Sequence, residues 1–172
     1  MRDQRKEIET IKERTITLKL SDADVVRITE RAERHGLTVS ELLENFIGDL
    51  VDGTYSNGSD ERDFADQWFD RCWFGMFPEV TPITYLLEEW TLDQVSDLIE
   101  EIEDIKSDIA FAEEDPEEDP EEYKDALAEC ENELKEFYSD YASRSEDPVS
   151  LEAFVEAVKK YEERLNNLKG AD

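Results

Sequence analysis

Residues 15–21, TITLKLS, constrain this chain more than any other stretch. Ile16, Leu18 and Leu20 alternate with Thr15, Thr17 and Lys19, so the spacing predicts a β-strand with one apolar and one polar face. The two β-branched threonines suit a strand. A lone strand in so short a unit has no backbone partner. It therefore calls for a second copy of the chain, paired strand to strand.

Two capped helix patterns follow. Ser21 is placed to cap the first, with Asp24 at the capping-box position and Val25, Ile28 and Ala32 on one face. Gly36 supplies the left-handed residue that ends it. Thr38 caps the second, with Glu41 completing a capping box, and Leu42, Leu43, Phe46, Ile47 and Leu50 form its apolar stripe. Over roughly residues 14–51, and most closely over residues 32–43, AERHGLTVSELL, the chain resembles the ribbon-helix-helix family of bacterial, archaeal and phage DNA-binding proteins. The resemblance implies a homodimer whose paired strands lie in the DNA major groove. It assigns base reading to Thr15, Thr17 and Lys19, and phosphate binding to the start of the second helix at Thr38, Val39 and Ser40. The position of Val39 is often basic in that family and is uncharged here.

Charge divides the chain. The formal net charge is -29. Residues 1–20 hold six basic side chains (Arg2, Arg5, Lys6, Lys12, Arg14, Lys19) against four acids, a basic arm in which Arg14 is a further phosphate contact. Residues 54–172 hold 10 basic and 36 acidic residues, so nearly all the negative charge lies beyond the motif. Long-range repulsion from that part opposes nonspecific DNA association.

Residues 52–59, DGTYSNGS, read as a hinge. Between Tyr55 and Trp90 lie nine of the 17 aromatic residues, including every Trp. Ser59 is placed to cap a helix in which Phe64, Trp68 and Cys72 share a face widened by Phe69 and Trp73, before Gly75 and Pro78 break the chain. A short helix is expected near residues 83–90. The aromatic stretch is either a core that joins the two halves or a pocket for a partner, since Trp and Tyr anchor interfaces well.

Three heptad seams follow: Val95, Leu98, Ile102, Ile105, Ile109 and Ala112 after a Thr91 cap; Tyr123, Leu127, Cys130, Leu134, Phe137 and Tyr141; and Leu151, Phe154, Val158, Tyr161, Leu165 and Leu168 after a Ser150 cap. Residues 113–120, EEDPEEDP, are expected to form the turn that folds the first two into an antiparallel pair, with the third helix either packed against them or docked on the aromatic region. The expected fold is thus mostly α. A ribbon-helix-helix unit with its basic arm (1–53) precedes an aromatic-rich helical connector (54–90) and an acidic antiparallel coiled-coil bundle (91–172).

The acidic helices are either a solvated coiled coil or a rod that occupies a basic surface, with Glu100, Glu101, Glu131 and Glu133 as candidate contacts. Chemistry is poorly represented. The one histidine, His35, sits beside Gly36 at a helix end, and no nucleophile triad, phosphate loop or zinc-ligand cluster can be assembled. No catalytic residue, metal or cofactor is expected. Cys72 and Cys130 lack metal or redox spacing and suit a reducing, cytoplasmic setting, and no segment reads as a secretion signal or a membrane span. Two functions remain. One is a dimeric transcription regulator of phage or mobile-element type, whose acidic part binds a basic protein such as a toxin. The other is an acidic, DNA-mimicking inhibitor or adaptor, such as an anti-CRISPR protein acting on a Cas nuclease, that uses the ribbon for dimerisation or autoregulation.

Overall fold

The structure, a computed structural model, describes residues 4–54, 56, 58–72, 79–114 and 121–170. These form eight α-helices: α1 Gln4–Glu9, α2 Asp22–Glu33, α3 Val39–Leu50, α4 Ser59–Arg71, α5 Pro82–Glu88, α6 Leu92–Glu114, α7 Glu121–Arg144 and α8 Leu151–Lys169. They belong to two compact units, Met1–Pro78 and Glu79–Asp172. The aromatic-rich stretch is therefore shared, with α4 in the first unit and α5 in the second.

One expectation is corrected. Residues 15–21 do not form a strand, and there is no strand among the described residues, so the N-terminal unit is helical rather than ribbon-helix-helix. The physical reason is the one that made the segment informative. A strand is stabilised by hydrogen bonds to a neighbouring backbone, and the single chain supplies none. The basic arm also contains a helix, α1, that its sequence did not announce.

The local signals of α2 and α3 are realised. Ser21 Oγ accepts from the Asp24 amide at 3.2 Å, and the Asp24 carboxylate pairs with Arg27 at 2.9 Å. Gly36 adopts φ +70°, and the following Leu37 amide returns to the Ala32 carbonyl at 3.1 Å. Thr38 and Glu41 make a reciprocal capping box. At the other end of α3 the Gly53 amide donates to the Gly48 carbonyl at 2.7 Å, an approach so close that a Cβ on Gly53 would stand 3.3 Å from the Gly48 backbone. The cap of α4 differs from expectation. Gly58 occupies that position with no side-chain bond, and Ser59 is the first helical residue. Trp73, Gly75, Pro78 and residues 115–120 of the acidic turn lie outside the described residues.

The C-terminal unit holds the hydrophobic core. Thr81 and Thr84 form a capping box and Pro82 fills the first turn of α5, where its missing N–H costs nothing. Only six residues separate α6 from α7, while each helix is about 35 Å long at 1.5 Å per residue, so packing along their length requires an antiparallel hairpin. The heptad seams face inward as read: Val95, Leu98, Ile102, Ala112, Cys130, Leu134, Tyr141, Phe154 and Val158 are buried. Leu168, at the end of the third seam, is exposed. Ser150 caps α8, accepting from the Ala153 amide at 3.2 Å.

An aromatic cluster closes the bundle. Phe154 of α8 is fully buried, with its ring centroid 5.4 Å from that of Tyr141 and 5.9 Å from that of Tyr138 on α7. Tyr138 Oη donates to the Val149 carbonyl at 2.9 Å, and Tyr141 Oη accepts from the Val149 amide at 3.4 Å. The α7–α8 connection is thus tied to the same two rings that receive Phe154. Phe154→Ala is expected to destabilise this unit by about 3–5 kcal/mol. Urea denaturation followed by the near-ultraviolet signal of the tyrosines measures that loss.

Candidate functional site

The first candidate surface lies in the N-terminal unit. Ala32 is the one buried side chain among that unit's described residues. The stripes expected to form its core face water instead. Ile16, Leu18 and Leu20, Val25 and Val26 of α2, and Phe46 and Ile47 of α3 are each between 44% and 57% exposed. Ile28, Leu42, Leu43 and Leu50 are half-buried. On α4 the shared face of Phe64, Trp68 and Cys72 is exposed as well, with the Trp68 and Phe69 rings edge to face at 4.9 Å. The apolar patterns that the sequence marks for burial are thus left largely exposed by the unit itself.

The residues assigned to DNA have mixed standing. Thr15, Thr17 and Lys19 are exposed and lie in the irregular segment before α2. Arg14 is exposed, and its guanidinium donates to the Thr10 carbonyl at 3.3 Å. At the start of α3, Ser40 is exposed and Val39 half-buried. Thr38 is already engaged. Its amide and hydroxyl both donate to Glu41 Oε2, at 2.7 and 2.8 Å, which holds the Glu41 carboxyl below the usual carboxylate range. A phosphate approaching this helix end meets a carboxylate, which leaves the Val39 and Ser40 amides as its donors.

The second candidate surface is the acidic face of the C-terminal unit. Over its length α6 holds nine acidic residues and one basic, and α7 eight and three, whereas α8 holds four of each. The bases of α8 serve locally. Lys159 pairs with Glu103, and Lys160 with Glu156 at 3.2 Å. Asp97, Glu101, Asp104 and Asp108 recur along α6 at steps of four, three and four, and Glu129, Glu133, Glu136 and Asp140 repeat that spacing on α7; all eight are exposed. One carboxylate of the α6 row and two of the α7 row act on Cys130. Its thiol is pushed up, first by burial and then by the negative charges of Glu101, Glu129 and Glu133. Carboxylates of both helices therefore crowd one edge of the hairpin.

The four glutamates singled out in the sequence do not share a face. Glu101 and Glu133 stand at that crowded edge. Glu100 lines a groove between α6 and α8 with Asp93, Glu103 and Glu162. Glu131 of α7 pairs across the hairpin with Lys106 of α6, whose Nζ lies 2.9 Å away, and this hydrogen bond holds its carboxyl below the usual range. One residue went unnoticed as a site. Trp90, between α5 and α6, has φ +59° and is 93% exposed. The available signal was a helix end without a glycine, Glu-Glu-Trp-Thr. Thr91 stands at the start of α6 as expected, its carbonyl accepting from the Val95 amide at 3.0 Å, but its buried hydroxyl has no hydrogen-bond partner.

No group of His, Cys, Asp and Glu suited to a metal ion occurs among the described residues, and none of their helices is long and apolar enough to cross a membrane. Comparison of the chain with protein-family models, curated proteins and solved structures finds no match.

Three outcomes are expected. In the native protein one thiol, the exposed Cys72, reacts rapidly with a thiol reagent and the buried Cys130 follows only on unfolding; counting labelled thiols by mass distinguishes them. Raising sodium chloride from low to moderate concentration increases the unfolding midpoint, because salt screens the facing carboxylate rows. A midpoint unmoved by salt would mean that the rows do not repel. The depressed Glu131 carboxyl contributes stability present above the ordinary carboxylate range and lost as pH falls through its lowered pKa. Lys106→Met removes that acid-side component, by up to about 1 kcal/mol for so exposed a pair, as urea denaturation across the acid range would reveal.

Proposed function

We propose that this protein is a homodimeric, non-enzymatic DNA-binding regulator that works in the cytoplasm and whose acidic C-terminal unit receives a basic protein partner. The observation that carries the reading is how little apolar surface the described residues of the N-terminal unit bury. Among its described residues Ala32 alone is buried, while Ile16, Leu18, Leu20, Val25, Val26, Phe46 and Ile47 are exposed. Burial on that scale contributes little against the conformational entropy of ordering those helices. A second copy offers the same apolar set in a self-complementary arrangement. The exposed Ile16, Leu18 and Leu20 would be covered at that seam, and the exposed polar side chains of the same irregular segment, Thr15, Thr17 and Lys19, are the ones offered to DNA. Two copies double the contribution of Lys19 and Arg14, and phosphate contacts of this kind make binding steeply salt-dependent. The net -29 of each chain favours a regulator that holds its acidic units away from the duplex.

A second reading is favoured by the paired carboxylate rows of α6 and α7. On it, the main task is to occupy a basic nucleic-acid-binding surface of another protein, and the N-terminal unit serves assembly.

Sedimentation velocity and fluorescence anisotropy separate the two. With duplex DNA from the gene's own upstream region, the wild-type chain is expected to bind as a dimer, more weakly as salt rises. Leu18→Asp should yield a monomer that no longer binds. Lys19→Glu should keep the dimer and reduce DNA affinity about tenfold or more, since two charges are reversed per dimer. A wild-type dimer that ignores DNA at low salt would sink the regulator reading and leave the second. A wild-type monomer would sink the assembly on which both rely.

A further inference from the structure

We propose that Trp90 is the anchor by which the C-terminal unit docks a basic, arginine-bearing segment of a partner protein. The inference rests on this unit alone and does not require the N-terminal unit to bind DNA. The end of α5 is closed by two backbone bonds, Thr91 N–H to the Leu86 carbonyl at 3.0 Å and Trp90 N–H to the Leu87 carbonyl at 3.3 Å. This is the six-to-one and five-to-two pattern of a Schellman turn, which places one residue in the left-handed region. Glycine is usual there because a Cβ is disfavoured. Here the residue is Trp90, at φ +59°.

The fold draws no packing benefit from this choice. The Trp90 side chain is 93% exposed, whereas Tyr85 and Leu86 of the same short helix are buried. Leu87, three residues earlier, adds a second apolar side chain, 48% exposed. An indole held at an unfavourable backbone position and left in water is best explained by a partner that covers it.

Charge identifies the occupant. Trp90 is flanked in sequence by Glu88, Glu89 and Asp93, all exposed, and residues 79–172 hold 31 acidic residues against eight basic ones. A cationic side chain laid on the indole would satisfy both the ring face and the neighbouring carboxylates. The protein already makes this contact internally. Arg144 sits over the Tyr85 ring, 5.3 Å from its centroid, and pairs with Glu89. That pair leaves Glu88 and Asp93 as the carboxylates available beside Trp90.

The test uses the full chain carrying Trp68→Phe and Trp73→Phe, so that Trp90 is the sole indole. The probe is a short peptide of alternating arginine and alanine, with a glutamate–alanine peptide as control. Emission from Trp90 is expected to shift with the arginine peptide and not with the control, and the effect should weaken as salt rises. With labelled peptide and anisotropy, Trp90→Gly in the otherwise wild-type chain should lose about tenfold in affinity, while Trp90→Tyr retains most of it. The unfolding midpoint of Trp90→Gly should be unchanged or higher, because glycine suits the turn. Equal peptide affinity in Trp90→Gly and wild type would overturn the proposal, since the acidic surface alone would then account for binding. Trp90 emission that ignores the peptide but shifts with protein concentration would also overturn it, in favour of a second copy as the occupant.

Discussion

Phe154 enters the space beside Tyr138 and Tyr141, and the C-terminal unit is organised around that contact. The same tyrosines hold both polar groups of Val149, so the loop before α8 and the ring that α8 buries are fixed together. Tyr85 of α5 joins the cluster 6.0 Å from Tyr141. Three helices, α5, α7 and α8, thus converge on rings rather than on aliphatic heptad positions alone. This matters because α6 and α7 carry heavy like charge. An aliphatic seam between them must work against carboxylate repulsion along one edge, and the aromatic end supplies packing that salt and pH do not weaken.

What could be read from residue order follows from the range of the forces involved. Caps at Ser21, Thr38 and Ser150 are contacts within three residues, so they were legible and are present. The heptad seams were legible because burial on a helix repeats with the helix itself. The strand was read from an equally regular pattern, yet its stability resides in hydrogen bonds to another backbone, and the described chain has no strand there. The pattern reported which side chains belong on one face, a weaker statement than what conformation they hold. Thr91 stands where a cap was expected, its carbonyl accepting from the Val95 amide at 3.0 Å, but its buried hydroxyl makes no hydrogen bond.

The candidate sites were legible as charge and composition but not as geometry. Glu100, Glu101, Glu131 and Glu133 are close in sequence within each helix, and periodicity alone separates positions one or two apart by a large angle. Glu131 therefore turns toward Lys106 while Glu133 joins the crowded edge. The sequence indicated an acidic unit. The structure distinguishes carboxylates spent on internal pairs, such as Glu89, Glu103 and Glu131, from the exposed ones in the rows of α6 and α7.

The two units differ most in what they leave unfinished. The C-terminal unit has a closed core and an open charge pattern, so electrostatics is what it offers to other molecules. The N-terminal unit has capped helices and an open apolar face, so burial is what it still requires. These demands are complementary in strength and range. Apolar contact is short-ranged and stable to salt, and suits a permanent seam between like chains, where each net charge of -29 would otherwise keep them apart. Carboxylate rows act at a distance and weaken with salt, and suit reversible capture of a basic partner. A chain this acidic can self-associate only where apolar area outweighs repulsion. The one extended apolar set in its less acidic unit is where that condition is most nearly met.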